Sequence, residues 1–209
     1  MQRTTEYLVL FMNFTPELQF EGADFRGRVR SLSDDDQANL LNLYQHPELP
    51  GQRALDPQSD QAKEHIARMI ELSVQMAATQ RGIMWALEIN DEFQGMVSVF
   101  DWQPSHLRAT FRVDGLEALT NQQRASALVV CMDFMAEKYH LRNFAYQWIQ
   151  GQDKELLAML ENIGFERSAT LRDGWKLVSD SGEKSYVDTI CLNRILGSDV
   201  AGRNEGEAS

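Results

Sequence analysis

Ile83-Met84-Trp85-Ala86-Leu87-Glu88-Ile89-Asn90-Asp91-Glu92-Phe93-Gln94-Gly95-Met96-Val97-Ser98-Val99-Phe100-Asp101-Trp102 is the stretch on which the architecture turns. Its first seven residues read as a strand. Asn90-Asp91-Glu92 reads as a tight turn, and Gln94 to Trp102 as a second strand. Gln103-Pro104-Ser105-His106 breaks the run. Leu107, Ala109, Phe111 and Val113 then alternate with Arg108, Thr110 and Arg112, a period of two that predicts a third strand. Short connections between consecutive strands make this an antiparallel meander.

Working outward, helices flank the meander on both sides. Upstream, Phe25 to Leu32 reads as a strand in which Arg26, Arg28 and Arg30 alternate with Gly27, Val29 and Ser31. Ser33 and the acids Asp34, Asp35 and Asp36 suit a helix start, because the N-terminal dipole favours negative charge. A helix over 35–45 with Leu40, Leu41, Leu43 and Tyr44 follows, ended by Pro47 and Pro50. A second helix is expected from Ser59 to about Gln80, with Ile66, Met69, Ile70, Val74 and Met76 inward and Gly82 as its stop. Downstream, Thr120 opens a long helix to His140, buried along Ala127, Leu128, Val130, Cys131, Phe134 and Met135. Asn143 to Ile149 is a strand. Asp153 caps a short helix closed by Gly164, and strands from Arg167 to Val178 and Ser185 to Leu192 form a last hairpin. The class is α+β: a mixed, mostly antiparallel central sheet flanked by helices in three layers.

Composition sets the bounds of function. The chain has 209 residues, 31 acidic against 20 basic, a net charge of −11 and 43% hydrophobic residues. That supports one sizeable core, with residues 1–24 as an N-terminal extension, 25–196 as the domain and 197–209 as a disordered acidic tail. So acidic a chain lacks the cations that phosphate backbones and anionic membranes require, so neither nucleic acid nor membrane is expected as a partner. The apolar run Tyr7 to Met12 is too short to span a bilayer and lacks a signal-peptide pattern. Cys131 and Cys191 form no CxxC pair, which fits a cytoplasmic location. His46, His65, His106 and His140 show no metal-ligand spacing, so no metal is expected. No GxSxG, Walker-type or GxGxxG motif occurs.

From about residue 25 to 195, the order of elements resembles the GNAT acetyltransferases, closest to the branch that acetylates ribosomal-protein N-termini. Phe93-Gln94-Gly95-Met96-Val97-Ser98 is similar to the family's glycine-bearing strand. Leu160-Glu161-Asn162-Ile163-Gly164-Phe165 resembles its LEKLGF segment. Leu171-Arg172-Asp173-Gly174 with Tyr186-Val187-Asp188 resembles its closing hairpin. The family's Q/R-x-x-G-x-G/A cofactor motif falls on Gln122-Gln123-Arg124-Ala125-Ser126-Ala127, with alanine in place of the first glycine.

The resemblance implies acetyl-CoA as cofactor, its diphosphate held by backbone N–H groups at the start of the long helix, with Arg124 adding charge. It implies a Val113 backbone N–H that polarises the acetyl carbonyl. Departures are plain. Thr110 stands near the usual glutamate, and Asp153, Leu156 and Leu160 stand where relatives carry Asn and Ser or Tyr. Substitutes are Tyr146 as the acid for the leaving thiolate and Asp101 or His106 as the base, with Asp114 close to the polarising strand. The function implied is acetyl transfer to a primary amine, a protein N-terminus or a small amine, the domain's acidity favouring a cationic acceptor. The alternative is a degenerate domain that binds a ligand or protein without chemistry. Analogy adds a homodimer.

Overall fold

Alternation over two residues builds the sheet, and the turn chemistry sets its order. The structure, a computed structural model, describes residues 16–179 and 181–197. In chain order come β1 (Leu18–Glu21), β2 (Arg26–Ser31), α1 (Gln37–Gln45), α2 (Asp60–Ala78), β3 (Ile83–Ile89), β4 (Glu92–Gln103) and β5 (Arg108–Gly115). Then come α3 (Asn121–Tyr139), β6 (Asn143–Ile149), α4 (Lys154–Asn162), β7 (Glu166–Val178) and β8 (Lys184–Ile195). The described strands form one sheet in the order β1-β2-β3-β4-β5-β6-β8-β7. Neighbours are antiparallel except β5 and β6, which run parallel and are joined across α3.

Asn90 and Asp91 turn β3 into β4 with φ of 52° and 66°, the left-handed pair that a two-residue hairpin needs. β3 reads as nearly continuous apolar sequence because both its faces are covered. Ile83, Trp85 and Leu87 join a core with Ala127, Leu128, Cys131, Met132 and Met135 of α3 and Leu156, Leu157 and Leu160 of α4. Ala86 joins a second core with Leu40, Leu41 and Tyr44 of α1 and Ala62, Ile66 and Ile70 of α2. The molecule is thus three-layered, with α3 and α4 on one face and α1 and α2 on the other.

Four expectations differ from the structure. Leu18–Glu21, inside the stretch read as an extension, is a strand paired with β2. The acids after Ser33 form a single 3-10 turn, Asp34–Asp36, in which Ser33 and Asp36 cap each other, and α1 begins only at Gln37. The buried stripe of α2 is Ala62, Ile66, Ile70, Ser73 and Ala77, and Val74, one step off that stripe, is 43% exposed. The helix stops before Gly82, where Gln80 adopts φ 52°. The acidic tail lies outside the described residues, save Gly197. Among the described residues no helix is long and apolar enough to cross a membrane.

α3 starts at a reciprocal cap. The Thr120 hydroxyl accepts the Gln123 N–H at 3.3 Å, and the Gln123 side chain accepts the Thr120 N–H at 2.9 Å. Thr120→Ala removes half of this box. The expected loss is about 1 kcal/mol, a fall of about 2–4 °C in thermal midpoint for a domain of this size, read by circular dichroism.

Candidate active site

The parallel pair β5–β6 holds together for four rungs only. Arg108 faces Asn143, and the last rung joins Phe111 to Tyr146. Beyond it β5 continues to Gly115 against β4 alone, and β6 continues to Ile149 against β8 alone. The two strands therefore part, and a gap opens between their C-terminal ends.

Val113 faces that gap. Its carbonyl accepts Arg124 Nη1 at 3.5 Å, and its N–H lies on the side of the Tyr146 hydroxyl. Both polar groups of one strand residue point to the same side, so Val113 offers the gap a donor and an acceptor. Tyr146 itself is fully buried, and burial with the nearby Asp114 charge drives its hydroxyl well above the ordinary tyrosine range.

On the α1 side of β5, Arg112 Nη2 lies 2.6 Å from Asp114 Oδ2. Burial pushes the Asp114 carboxyl up, and the Arg112 charge only partly offsets it. Tyr44 of α1 stands over this pair, its hydroxyl raised chiefly by burial.

Arg124 does not reach for an anion at the start of α3. Its guanidinium, 7% exposed, folds into the gap and forms a forked pair with Glu48: Nη1 meets Oε2 at 3.0 Å, and Nη2 meets Oε1. Glu48 Oε2 also accepts the Gly115 N–H at 3.2 Å. Gly115 makes room for this arrangement, since a Cβ there would stand 2.7 Å from Arg124 Nη2. The loop carrying Glu48 is fastened from the far side by Trp175, whose Nε1 donates to the Pro50 carbonyl at 2.8 Å.

Two cavities meet at Glu48. One of about 260 Å³ runs between the starts of α3 and α4, lined by Asn121, Arg124, Gly151, Gln152, Asp153, Leu156 and Glu48. The other, about 590 Å³, opens on the α1 side, with Asn42, His46, Glu48, Gly115 and Glu117 among its walls.

The remaining expected residues divide. Gln122 is exposed in the first turn of α3, where helix geometry leaves the Asn121 and Gln122 N–H groups without a partner in the helix. The Gln123 side chain is spent on the cap. Ala125, Ser126 and Ala127 lie past the first turn, inside the helix and not in a loop, so the missing glycine costs no backbone strain. Asp153 caps α4 through the Glu155 N–H at 2.9 Å and accepts Asn121 Nδ2 at 3.4 Å, tying the two helix starts together.

The structure places Asp101 and His106 away from the gap. They flank the β4–β5 turn beside the Gln103–Arg108 rung, at the opposite end of β5 from Val113. Arg108 and Val113 are five residue steps apart along the strand, about 17 Å. Asp101 accepts Gln103 Nε2 at 3.0 Å, His106 pairs with the Ser105 hydroxyl, and both are exposed. Glu48 is the residue that sequence reasoning missed. Nothing local marks a carboxylate between Pro47 and Pro50, and its partner Arg124 lies 76 residues away.

These residues fit coenzyme A. The 19-residue helix α3 presents its N-terminus to the smaller cavity, which Arg124 and Glu48 also line. The Asp153 carboxylate is the unfavourable member of the set.

No protein-family profile and no curated protein matches the chain. Solved structures do. A probable acetyltransferase superposes with TM-score 0.69 at 19% identity, covering 85% of this chain and 97% of its own. RimJ of Mycobacterium smegmatis, solved with CoA-disulfide, gives 0.71 at 13% identity, covering 87% of each chain. The ribosomal-protein-S5-alanine acetyltransferase of Vibrio fischeri gives 0.67 at 14%, covering 87% of this chain and 98% of its own. Superposition of the mixed eight-stranded sheet and its helices over most of the chain gives this chain the GNAT acetyltransferase fold.

Proposed function

We propose that the protein transfers an acetyl group from acetyl-CoA to a primary amine by direct attack. The observation that carries this reading is the gap between β5 and β6, with both backbone polar groups of Val113 turned into it. Acetyl-CoA supplies the activated thioester when bound. The N-terminus of α3, through Asn121 and Gln122, holds the diphosphate. The Val113 N–H would stabilise charge developing on the carbonyl oxygen. The larger cavity receives the acceptor. Its Glu48 and Glu117 carboxylates favour a cationic amine, either a protein N-terminus or a small amine, in the cytosol.

Calorimetry with acetyl-CoA tests the reading. Micromolar to submillimolar binding is expected, and no heat at millimolar ligand overturns it. Gln122→Glu gives a sharper check. A carboxylate in the first turn suits the helix dipole, so stability holds or rises slightly. The same charge repels the diphosphate, and coenzyme A affinity is expected to fall about five- to tenfold, the effect of about 1 kcal/mol.

One observation favours a second reading, a domain that binds a ligand or protein without chemistry. Arg124 fills the gap where an acetyl group would lie. Release of coenzyme A with any amine of a substrate panel excludes it.

A further inference from the structure

We propose that Glu48 takes the proton from the acceptor amine, and that Arg124 is the latch that holds Glu48 and closes the gap in the free protein. The inference rests on the acetyltransferase reading above.

The geometry singles out Glu48 among the acids around the gap. Asp114 is buried and bound to Arg112. Asp153 is occupied at the two helix starts. Glu48 alone among these lines both cavities, and at 30% exposure it has a route for protons to solvent through the larger one. The Gly115 N–H fixes it two residues from Val113. His46 lines the same cavity and is the rival proton acceptor.

The proton balance closes. The acceptor enters as an ammonium ion, and Glu48 takes one proton to leave a free amine. The nitrogen–carbon bond forms, the carbon–sulfur bond breaks, and the second nitrogen proton goes to the departing thiolate. Glu48 then releases its proton to water in the cavity. In the free protein Arg124 opposes this, because its two terminal nitrogens occupy both Glu48 carboxylate oxygens. Arg124 is also a first-turn neighbour of the diphosphate site, so a shift of its side chain towards the start of α3 opens the gap and frees Glu48 together.

The test compares wild type, Glu48→Gln, Glu48→Asp and His46→Gln. Coenzyme A binding is measured by calorimetry, and turnover with butane-1,4-diamine and with a tetrapeptide bearing a free N-terminus, across pH. Thermal melts verify that each variant folds. Glu48→Gln weakens the latch, so coenzyme A is expected to bind about tenfold more tightly. Its kcat is expected to fall at least a hundredfold, the usual contribution of a general base, with the acidic limb of the pH profile lost. Glu48→Asp restores a tenth or more of the turnover, and a greater loss of turnover in His46→Gln than in Glu48→Gln overturns Glu48 as the base. Unchanged coenzyme A affinity in Glu48→Gln overturns the latch, and unchanged turnover overturns the proton transfer. A wild type that binds coenzyme A yet acetylates neither amine also overturns the assignment of Glu48. A wild type that binds no coenzyme A at all fails the acetyltransferase reading itself.

Discussion

Phe111→Ala is expected to lower stability by about 4 kcal/mol, a fall of about 8–16 °C in thermal midpoint. Phe111 is 1% exposed and forms the last rung of the parallel pair with Tyr146. Its ring meets Phe144 edge-on, with centroids 5.5 Å apart at 76°. Truncation loses the transfer free energy of the ring and leaves a void that the sheet cannot close, because β4 and β6 hold the backbone on both sides. The void opens where the two strands begin to part, so the variant is also expected to bind coenzyme A more weakly than its residual stability alone explains. Phe111→Leu keeps most of the volume and costs less than about 1.5 kcal/mol. Urea denaturation reads both variants. A loss below 1 kcal/mol for alanine with an unchanged m-value contradicts a tightly packed apex.

The meander was readable because its signals are local. Alternation over Leu107 to Val113 and the Asn90-Asp91 pair specify strand and turn without help from distant residues, and β6 begins and ends where its aromatic run does. α3 announces itself through the Thr120 cap. What escaped depends on long-range contacts. β1 is four residues with alternate half-buried side chains, too short for a period to show, and it is a strand because β2 offers it an edge. Glu48 and Arg124 carry no mark of each other in the sequence. Asp101 and His106 illustrate the converse limit. A residue near a strand implicated in chemistry was a reasonable candidate, but adjacency in sequence does not say which end of the strand meets the ligand. Arg124 is read from the sequence as part of the cofactor motif, and its side chain pairs with a carboxylate from another layer.

Arg30→Met is expected to cost about 3 kcal/mol at pH 7, in the range for breaking a buried ion pair and discounted for the partial exposure of Arg30. The Arg30 guanidinium grips Asp36 with both terminal nitrogens at 2.8 Å and reaches Glu88 Oε1 through Nε at 2.7 Å. Asp36 is 1% exposed, and without Arg30 it keeps only the Ser33 N–H and hydroxyl. Glu88 retains Arg28. The pH dependence gives the sign. Burial alone pushes the Asp36 carboxyl up, but bonds from Arg30 and Ser33 outweigh it, so in the wild type it sits below the ordinary carboxylate range. That interaction stabilises the fold above the unfolded pKa and is lost as pH falls through the folded one. In Arg30→Met burial goes largely unopposed, the carboxyl titrates above its unfolded value, and protonation relieves the variant as pH falls. The gap in stability between wild type and variant is therefore expected to narrow from pH 7 to pH 4 in urea titrations. Adding Asp36→Asn to Arg30→Met removes the stranded charge and is expected to recover about 2 kcal/mol at pH 7. A penalty that is flat with pH, and no recovery in the double variant, would show that Arg30 acts through its packing against Ser31 and the sheet edge, not through the Asp36 charge.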